Sequence, residues 1–406
     1  MPLIDVVNFN ADASCLWSKK WLYFLQGGSE SIFCQMLKNY IRYSRKVNLG
    51  LTGVTVRDLL YFNPESVRLI IDHPDIFELV CRPFSHDSPL LRTELGFRKN
   101  VKKGIEVLKN TFNNINRFYL APEHMVIGQQ IYILKELGIK GTFIYRNRYQ
   151  EKISDRIPDQ IYKVKGVLGE SIVCIPFNQK EEYNVFLYVL HGHLQQEKWT
   201  EIIKSKRNTF AFWRDGESCL LVPKGVELEG RLLKAEKEKG IERIFLSEIK
   251  LEVQTTPSNK YFSFAYPSLQ PWFKDMKLYW LTSRIRDIEL NLNTYPPFIQ
   301  TLWMLTINSD IMSSAEKDFP VIKVTPEIFS VPPESPQWIG IESDRKNNRL
   351  TLIRSERAAD GEDYLAYLDK LLENSLSIEK VLDIWKNSNT PHLKKAYARI
   401  MPDYKG

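Results

Sequence analysis

Residues 117–138 read Arg117-Phe-Tyr-Leu-Ala-Pro-Glu-His-Met-Val-Ile-Gly-Gln-Gln-Ile-Tyr-Ile-Leu-Lys-Glu-Leu-Gly138. Arg117–Leu120 has the aromatic, apolar content of a buried strand. Ala121-Pro-Glu-His124 breaks it, because proline fixes the local backbone. Val126–Leu137 carries apolar residues at helical spacing, and Gly138 ends it. Thr142-Phe-Ile-Tyr145 is a strand again. A strand, a polar loop, a helix and a second strand form one parallel βα unit.

The same unit repeats on both sides. Leu3–Phe9 is a first strand, with Asn8, Asn10 and Asp12 at its C-terminal end. A helix is expected over Glu30–Ser44, a strand over Val47–Val54 and a helix over Pro64–Asp72. Phe77–Cys81 is a strand that runs into Arg82-Pro-Phe-Ser-His-Asp-Ser-Pro-Leu-Leu91, and Glu94–Asn113 is a long amphipathic helix. Further on, strands are expected over Val185–Leu190, Thr209–Trp213 and Ile244–Leu246, with helices over Glu197–Ser205 and Gly225–Lys239. The reading is an α/β fold, a βα barrel over residues 1–255. Residues 256–406 form a mainly helical C-terminal region. There, Pro297–Ser314 is apolar at helical spacing, and Asp360–Asn387 makes one or two helices. Trp338–Ile341 and Arg349–Arg354 form a small β-hairpin.

Composition narrows the function. The 406 residues hold 56 Lys+Arg against 49 Asp+Glu, a net charge of +7 that is mild for this length. The basic stretches Arg42–Lys46 and Arg98–Lys103 read as solvated helix faces, so no nucleic acid partner is expected. No apolar run is long enough to span a bilayer, and no membrane partner is expected. The opening residues lack the basic and apolar segments of a leader. Five scattered cysteines without CxxC spacing indicate neither a disulfide framework nor a zinc ribbon, and a cytoplasmic location is the expectation.

The polar clusters fall after strands, where βα barrels carry their chemistry. Glu123 lies three residues beyond Leu120, and Asp215 two beyond Trp213. Two carboxyl groups delivered to one face are the minimum equipment of a glycosidase: one attacks the anomeric carbon and the other protonates the leaving oxygen. Taken singly, each also reads as a loop cap or turn residue. His86, His191 and His193 stand at strand ends. His-x-His puts both rings on one face, as a metal pair would. Asp12 or Asp87 is the available third ligand, but hydrogen bonding in a polar pocket is the preferred reading. Trp213 and Arg214 precede Asp215, and a tryptophan there suits stacking on a sugar face. Asp310, in Asn308-Ser-Asp310, follows the apolar C-terminal helix; it reads either as a polar residue that ends the helix or as one that reaches back to the barrel mouth.

These stretches together resemble glycoside hydrolase family 57, the retaining α-amylase and 4-α-glucanotransferase group. Tyr119-Leu-Ala-Pro-Glu123 is similar to its nucleophile region. Phe212-Trp-Arg-Asp-Gly-Glu217 is similar to the region in which an Asp before Gly-Glu is the acid/base. Ser85-His-Asp-Ser-Pro-Leu-Leu91 is similar to its second region, and Asn308-Ser-Asp310 to its C-terminal one. Val7-Asn-Phe-Asn10 stands where the family has His-x-His, and Tyr119 where it has Trp. The resemblance covers about residues 1–315. It implies a seven-stranded barrel with a helical segment, Glu123 as nucleophile and Asp215 as general acid/base. Asn8, Asn10, Asp12, His86, His191, Trp213, Arg214 and Asp310 would then contact an oligo- or polysaccharide, with no metal or cofactor. Two alternatives stand beside it. One is a metal-dependent polysaccharide deacetylase using Asp12, His86 and His191 or His193. The other is a catalytically silent glycan-binding relative.

Overall fold

The computed structural model describes residues 2–9, 28–145, 161–177, 185–186, 189, 195–206, 210–216, 225–249, 276–308, 322–323, 341–344, 349–352 and 357–404. Its centre is a sheet of eight strands: β1 (Leu3–Phe9), β2 (Val47–Leu51), β3 (Phe77–Cys81), β4 (Ile115–Tyr119), β5 (Gly141–Ile144), β6 (Tyr162–Lys165), β7 (Ser171–Pro176) and β8 (Phe210–Asp215). Their spatial order is β6-β7-β5-β4-β3-β2-β1-β8. All are parallel except β6, which runs antiparallel to β7 at the edge. Seven parallel strands agree with the barrel expectation.

Alternation along each strand sorts residues between two faces. Ile4 and Val6 of β1, Val80 of β3, Phe143 of β5, Val173 and Ile175 of β7 and Ala211 of β8 share one inner cluster, with Phe118 and Leu120. Leu3, Val7 and Phe9 instead join the cores under the helices. The sheet is strongly curled. Tyr145, just past β5, and Trp213 of β8 are five strand positions apart, which is about 24 Å across a flat sheet. Their ring centroids are 6.4 Å apart.

Helices cover the outside: α1 (Ile32–Tyr43), α2 (Gly53–Phe62), α3 (Pro64–Asp72), α4 (Glu94–Thr111), α5 (Gly128–Glu136), α6 (Gln196–Ser205) and α7 (Gly225–Glu238). Local chemistry sets their starts. Ser31, Thr52, Asn63 and Thr93 each accept a backbone N–H of the first turn of α1, α2, α3 and α4. Pro64 opens α3 where its missing N–H costs nothing. The C-terminal region adds α8 (Met276–Leu290), α9 (Pro297–Thr306), α10 (Arg357–Leu372), α11 (Ile378–Asn387) and α12 (Pro391–Ile400). A three-stranded sheet there orders β10 (Ile341–Asp344), β11 (Arg349–Leu352) and β9 (Ile322–Lys323).

The C-terminal helices are bolted to the barrel helices. Arg399 of α12 donates two hydrogen bonds, 2.8 and 2.6 Å, to the fully buried Asp58 of α2. Glu289 of α8 accepts from the backbone N–H and hydroxyl of Thr93 at 2.7 and 2.6 Å. A carboxylate at the start of α4 also suits the helix dipole.

Several expectations need correction. Val185, Phe186 and Val189 are helical, not extended. Phe186 packs its ring against Trp199 of α6 and Phe212 of β8, so the apolar run served a helix–sheet seam. Ile244–Leu246 is not a full strand. Arg243 makes one parallel bridge to Leu3, and a short 3-10 turn follows over Leu246–Glu248. The β6–β7 hairpin, absent from the sequence reading, supplies the parallel strand next to β5. Asp360–Asn387 does hold parts of two helices, within the one or two expected, and a third follows.

Candidate active site

The parallel strands all point their C-terminal ends to one rim. Asn8, Asp215, Trp213, Glu123 and His86 meet there. Asn8 faces Asp215 in the β1–β8 register and donates its side-chain N–H to Asp215 Oδ1 at 3.1 Å. Trp213, two residues before Asp215, lies on the same face. Its ring meets that of His124 edge-on at 4.3 Å between centroids. His124 is the neighbour of Glu123, whose Oε1 lies 3.5 Å from His86 Nε2. His86 Nδ1 in turn faces the Arg82 guanidinium at 3.0 Å. Chain neighbours connect these contacts: Trp213 stands two residues from Asp215, and His124 one from Glu123.

Backbone geometry aims Glu123. It has φ 50° and ψ 18°, and His124 has φ 54°. Two successive non-glycine residues in the left-handed region cost about 1–3 kcal/mol each and persist only where their surroundings hold them. Packing holds them here. Pro122 precedes the turn, and His124 is boxed by Tyr145, stacked at 5.0 Å, and by Phe177 at 5.7 Å and Trp213. Burial pushes the His124 imidazole down to about 3, so its ring is neutral. The Glu123 side chain is 12% exposed, lodged at the rim rather than in the core.

The loop after β3 is clamped on α4. Phe84 N–H donates to Asn100 O at 2.9 Å, and Ser85 N–H to Asn100 Oδ1 at 2.8 Å. Gly104 permits the close seat, since a Cβ there would lie 2.3 Å from the Arg82 carbonyl oxygen. Asp87 follows His86 and is buried. Desolvation pushes its carboxyl up to about 7, against the pull of Arg92, whose Nε lies 3.3 Å from Asp87 Oδ1. Arg92 also pairs with Glu289 at 3.3 Å, which links the site loop to α8. Asp87 forms a backbone bridge to Asn308, so the C-terminal part reaches the rim just before Asp310.

Arg214 is not at this rim. It lies on the other face of β8, where it pairs with Asp5 at 3.3 Å and Glu229 at 2.8 Å beneath α7. The strand continues to Asp215, so alternation turns Arg214 away from Trp213 and Asp215. Tyr119 likewise faces outward, against Phe97 of α4. Asn10, Asp12, His191, His193 and Asp310 lie outside the described residues. Sequence reasoning missed Arg82, His124 and Tyr145. Arg82 and Tyr145 stand immediately after β3 and β5, and that position was their only signal; His124, five residues past β4, carried none. Among the described residues, no group of three or more His, Cys, Asp or Glu side chains is placed to hold a metal ion. No described helix is long and apolar enough to cross a membrane.

A curled parallel sheet with carboxyl groups at its C-terminal rim defines the class, a barrel-type α/β protein. No protein-family model and no curated protein matches the chain. Solved structures do. A GH57-type branching enzyme from Pyrococcus horikoshii is similar at TM-score 0.60 and 11% identity, over 98% of this chain and 96% of that one. A 4-α-glucanotransferase from Thermococcus litoralis also gives 0.60, at 12% identity over 77% of this chain. That match covers 56% of the other chain, so this one spans little more than half its length. An α-amylase from Thermotoga maritima gives 0.55 at 9% identity, over 99% of this chain and 98% of that one. At such identities the likeness is one of fold. The chain is built on the fold of the glycoside hydrolase family 57 enzymes, in a divergent form.

Proposed function

We propose that the protein is a retaining α-glycoside hydrolase or glucanotransferase acting on an oligo- or polysaccharide. The observation that carries this reading is the delivery of Glu123 by β4 and Asp215 by β8 to one rim, joined through His124 and Trp213. It stands on a fold shared with glycoside hydrolases and glucanotransferases.

In the first step the Glu123 carboxylate bonds to the anomeric carbon as the glycosidic C–O bond breaks. Asp215 gives its proton to the departing oxygen. In the second step Asp215, now a carboxylate, takes a proton from water or an acceptor sugar hydroxyl. That oxygen bonds to the anomeric carbon and releases Glu123. Two inversions give net retention. Asn8 supplies an N–H donor beside Asp215, and Trp213 an aromatic surface beside it.

The deacetylase alternative draws on Asp12, His191 and His193, outside the described residues. Its remaining ligand, His86, has a guanidinium at one ring nitrogen and a carboxyl group at the other. That arrangement suits a hydrogen-bonded imidazole better than a metal ligand.

The test is substitution. Glu123→Gln should abolish turnover of α-glucans, and Asp215→Asn should lower it by about 10²–10⁴, while circular dichroism and melting temperature stay close to the parent's. Undiminished turnover in either variant removes the assignment.

A further inference from the structure

Arg82 stands one residue past β3, on the inner face, and is 1% exposed. Its stem lies over Gly50 of β2 and beside Leu120. A Cβ at Gly50 would lie 2.7 Å from Leu120 Cδ2 and 3.5 Å from Arg82 Cδ. The side chain brings Nη2 within 3.0 Å of His86 Nδ1.

A guanidinium has five N–H donors and no acceptor. A nitrogen at hydrogen-bond distance from it must therefore accept. That assigns the lone pair to Nδ1 of His86 and puts the proton of the neutral ring on Nε2. Nε2 is the atom facing Glu123 Oε1 at 3.5 Å. The opposite tautomer would set N–H against N–H on the arginine side and a lone pair against a carboxylate on the other.

We propose that Arg82 is a positioning residue: it fixes the Nε2–H tautomer of His86, which turns that N–H toward the Glu123 carboxyl group, 3.5 Å away and not hydrogen-bonded to it in this structure, ready to close on Oε1 when charge builds there. The inference rests on the reading of Glu123 as nucleophile for its consequence, not for its geometry. Arg82 acts through His86 and does not itself meet the sugar. The loop carrying both residues is held to α4 by Asn100, which keeps the pair at fixed separation.

The experiment is long-range 1H–15N correlation on 15N-histidine-labelled full-length protein, with His86 assigned from a His86→Gln variant. The parent should show the Nε2–H pattern for His86. Arg82→Met keeps the apolar stem and removes the donor, and should move His86 to the Nδ1–H form or a mixture. Arg82→Lys, which restores a donor, should return it to Nε2–H. On an α-glucan substrate, Arg82→Met should lower kcat about tenfold, the scale of one hydrogen bond to a charged group, with KM little changed. An Nδ1–H pattern in the parent overturns the proposal, as does an unchanged pattern in a folded Arg82→Met. If that variant fails to fold, the parent spectrum decides. A parent with the expected tautomer but no turnover refutes the proposed function and leaves the positioning intact.

Discussion

Asn8 donates its side-chain amide to Asp215 across the β1–β8 pair, at 3.1 Å and in strand register. The contact joins the first strand of the chain to the eighth. It places a neutral donor beside the candidate acid/base. Asn8→Ala should lower kcat about tenfold, as expected for one hydrogen bond to a charged group. Asp215→Asn should lower it by about 10²–10⁴, the range for loss of a general acid. Steady-state kinetics on one α-glucan would compare the two. An unaltered kcat in Asn8→Ala would show that the contact serves packing only.

Asp87 should make stability fall as pH rises. Burial lifts its folded-state carboxyl to about 7, whereas an unfolded Asp titrates near about 3.9. Between those values the folded state holds a proton that the unfolded state has released. The contribution is complete below the unfolded value and is lost as pH climbs through about 7. Asp87→Asn removes the titration. The melting temperature of the variant minus that of the parent should therefore rise from pH 4 to pH 7. A flat difference by scanning calorimetry contradicts this.

His124 should act with the opposite sign. Burial lowers its folded-state value to about 3, against about 6.5 when unfolded. Its contribution is present above about 6.5 and is lost as pH falls toward 3. His124→Phe keeps an aromatic ring in the box formed by Tyr145, Phe177 and Trp213. The parent should lose more stability between pH 7 and pH 4 than this variant does. Urea unfolding at each pH checks it, and equal losses would count against the buried neutral ring.

Asp58 should be costly to remove. Its carboxylate is fully buried and takes two hydrogen bonds from Arg399, tying α12 to α2. Truncating one member of such a pair strands the other charge, at about 3–5 kcal/mol. Asp58→Ala should show that loss in urea unfolding. A loss under about 1 kcal/mol would mean that the guanidinium finds water or another partner.

The first half of the sheet was legible because its code is local. Pro64–Asp72 and Phe77–Cys81 have the bounds expected from Pro at a helix start and from a continuous apolar run. The second half was harder. Val185, Phe186 and Val189 have the β-branched and aromatic character of a strand, but packing on Trp199 and Phe212 makes them helical. Arg214 was misplaced by ending its strand at Trp213. Carried to Asp215, simple alternation would have turned it toward Asp5 and Glu229. The placement of Glu123, His86, Asn8 and Asp215 at the strand ends was legible from the apolar runs that precede them. Arg82 was not, because its role lies in a contact with the His86 ring that only the folded loop makes. His124 was not, because its burial depends on rings from β5, β7 and β8.

The central claim is that Glu123 becomes covalently bound to the sugar. Incubation with 5-fluoro-α-glucosyl fluoride, which forms a glycosyl–enzyme faster than it is hydrolysed, followed by peptide mass spectrometry, tests it most directly. The account predicts a fluoroglucosyl adduct on the peptide containing Glu123, with the mass returning to that of the free protein when an acceptor sugar is added. A label on a different carboxylate, or turnover of α-glucans by an enzyme that never carries an adduct at Glu123, would contradict it.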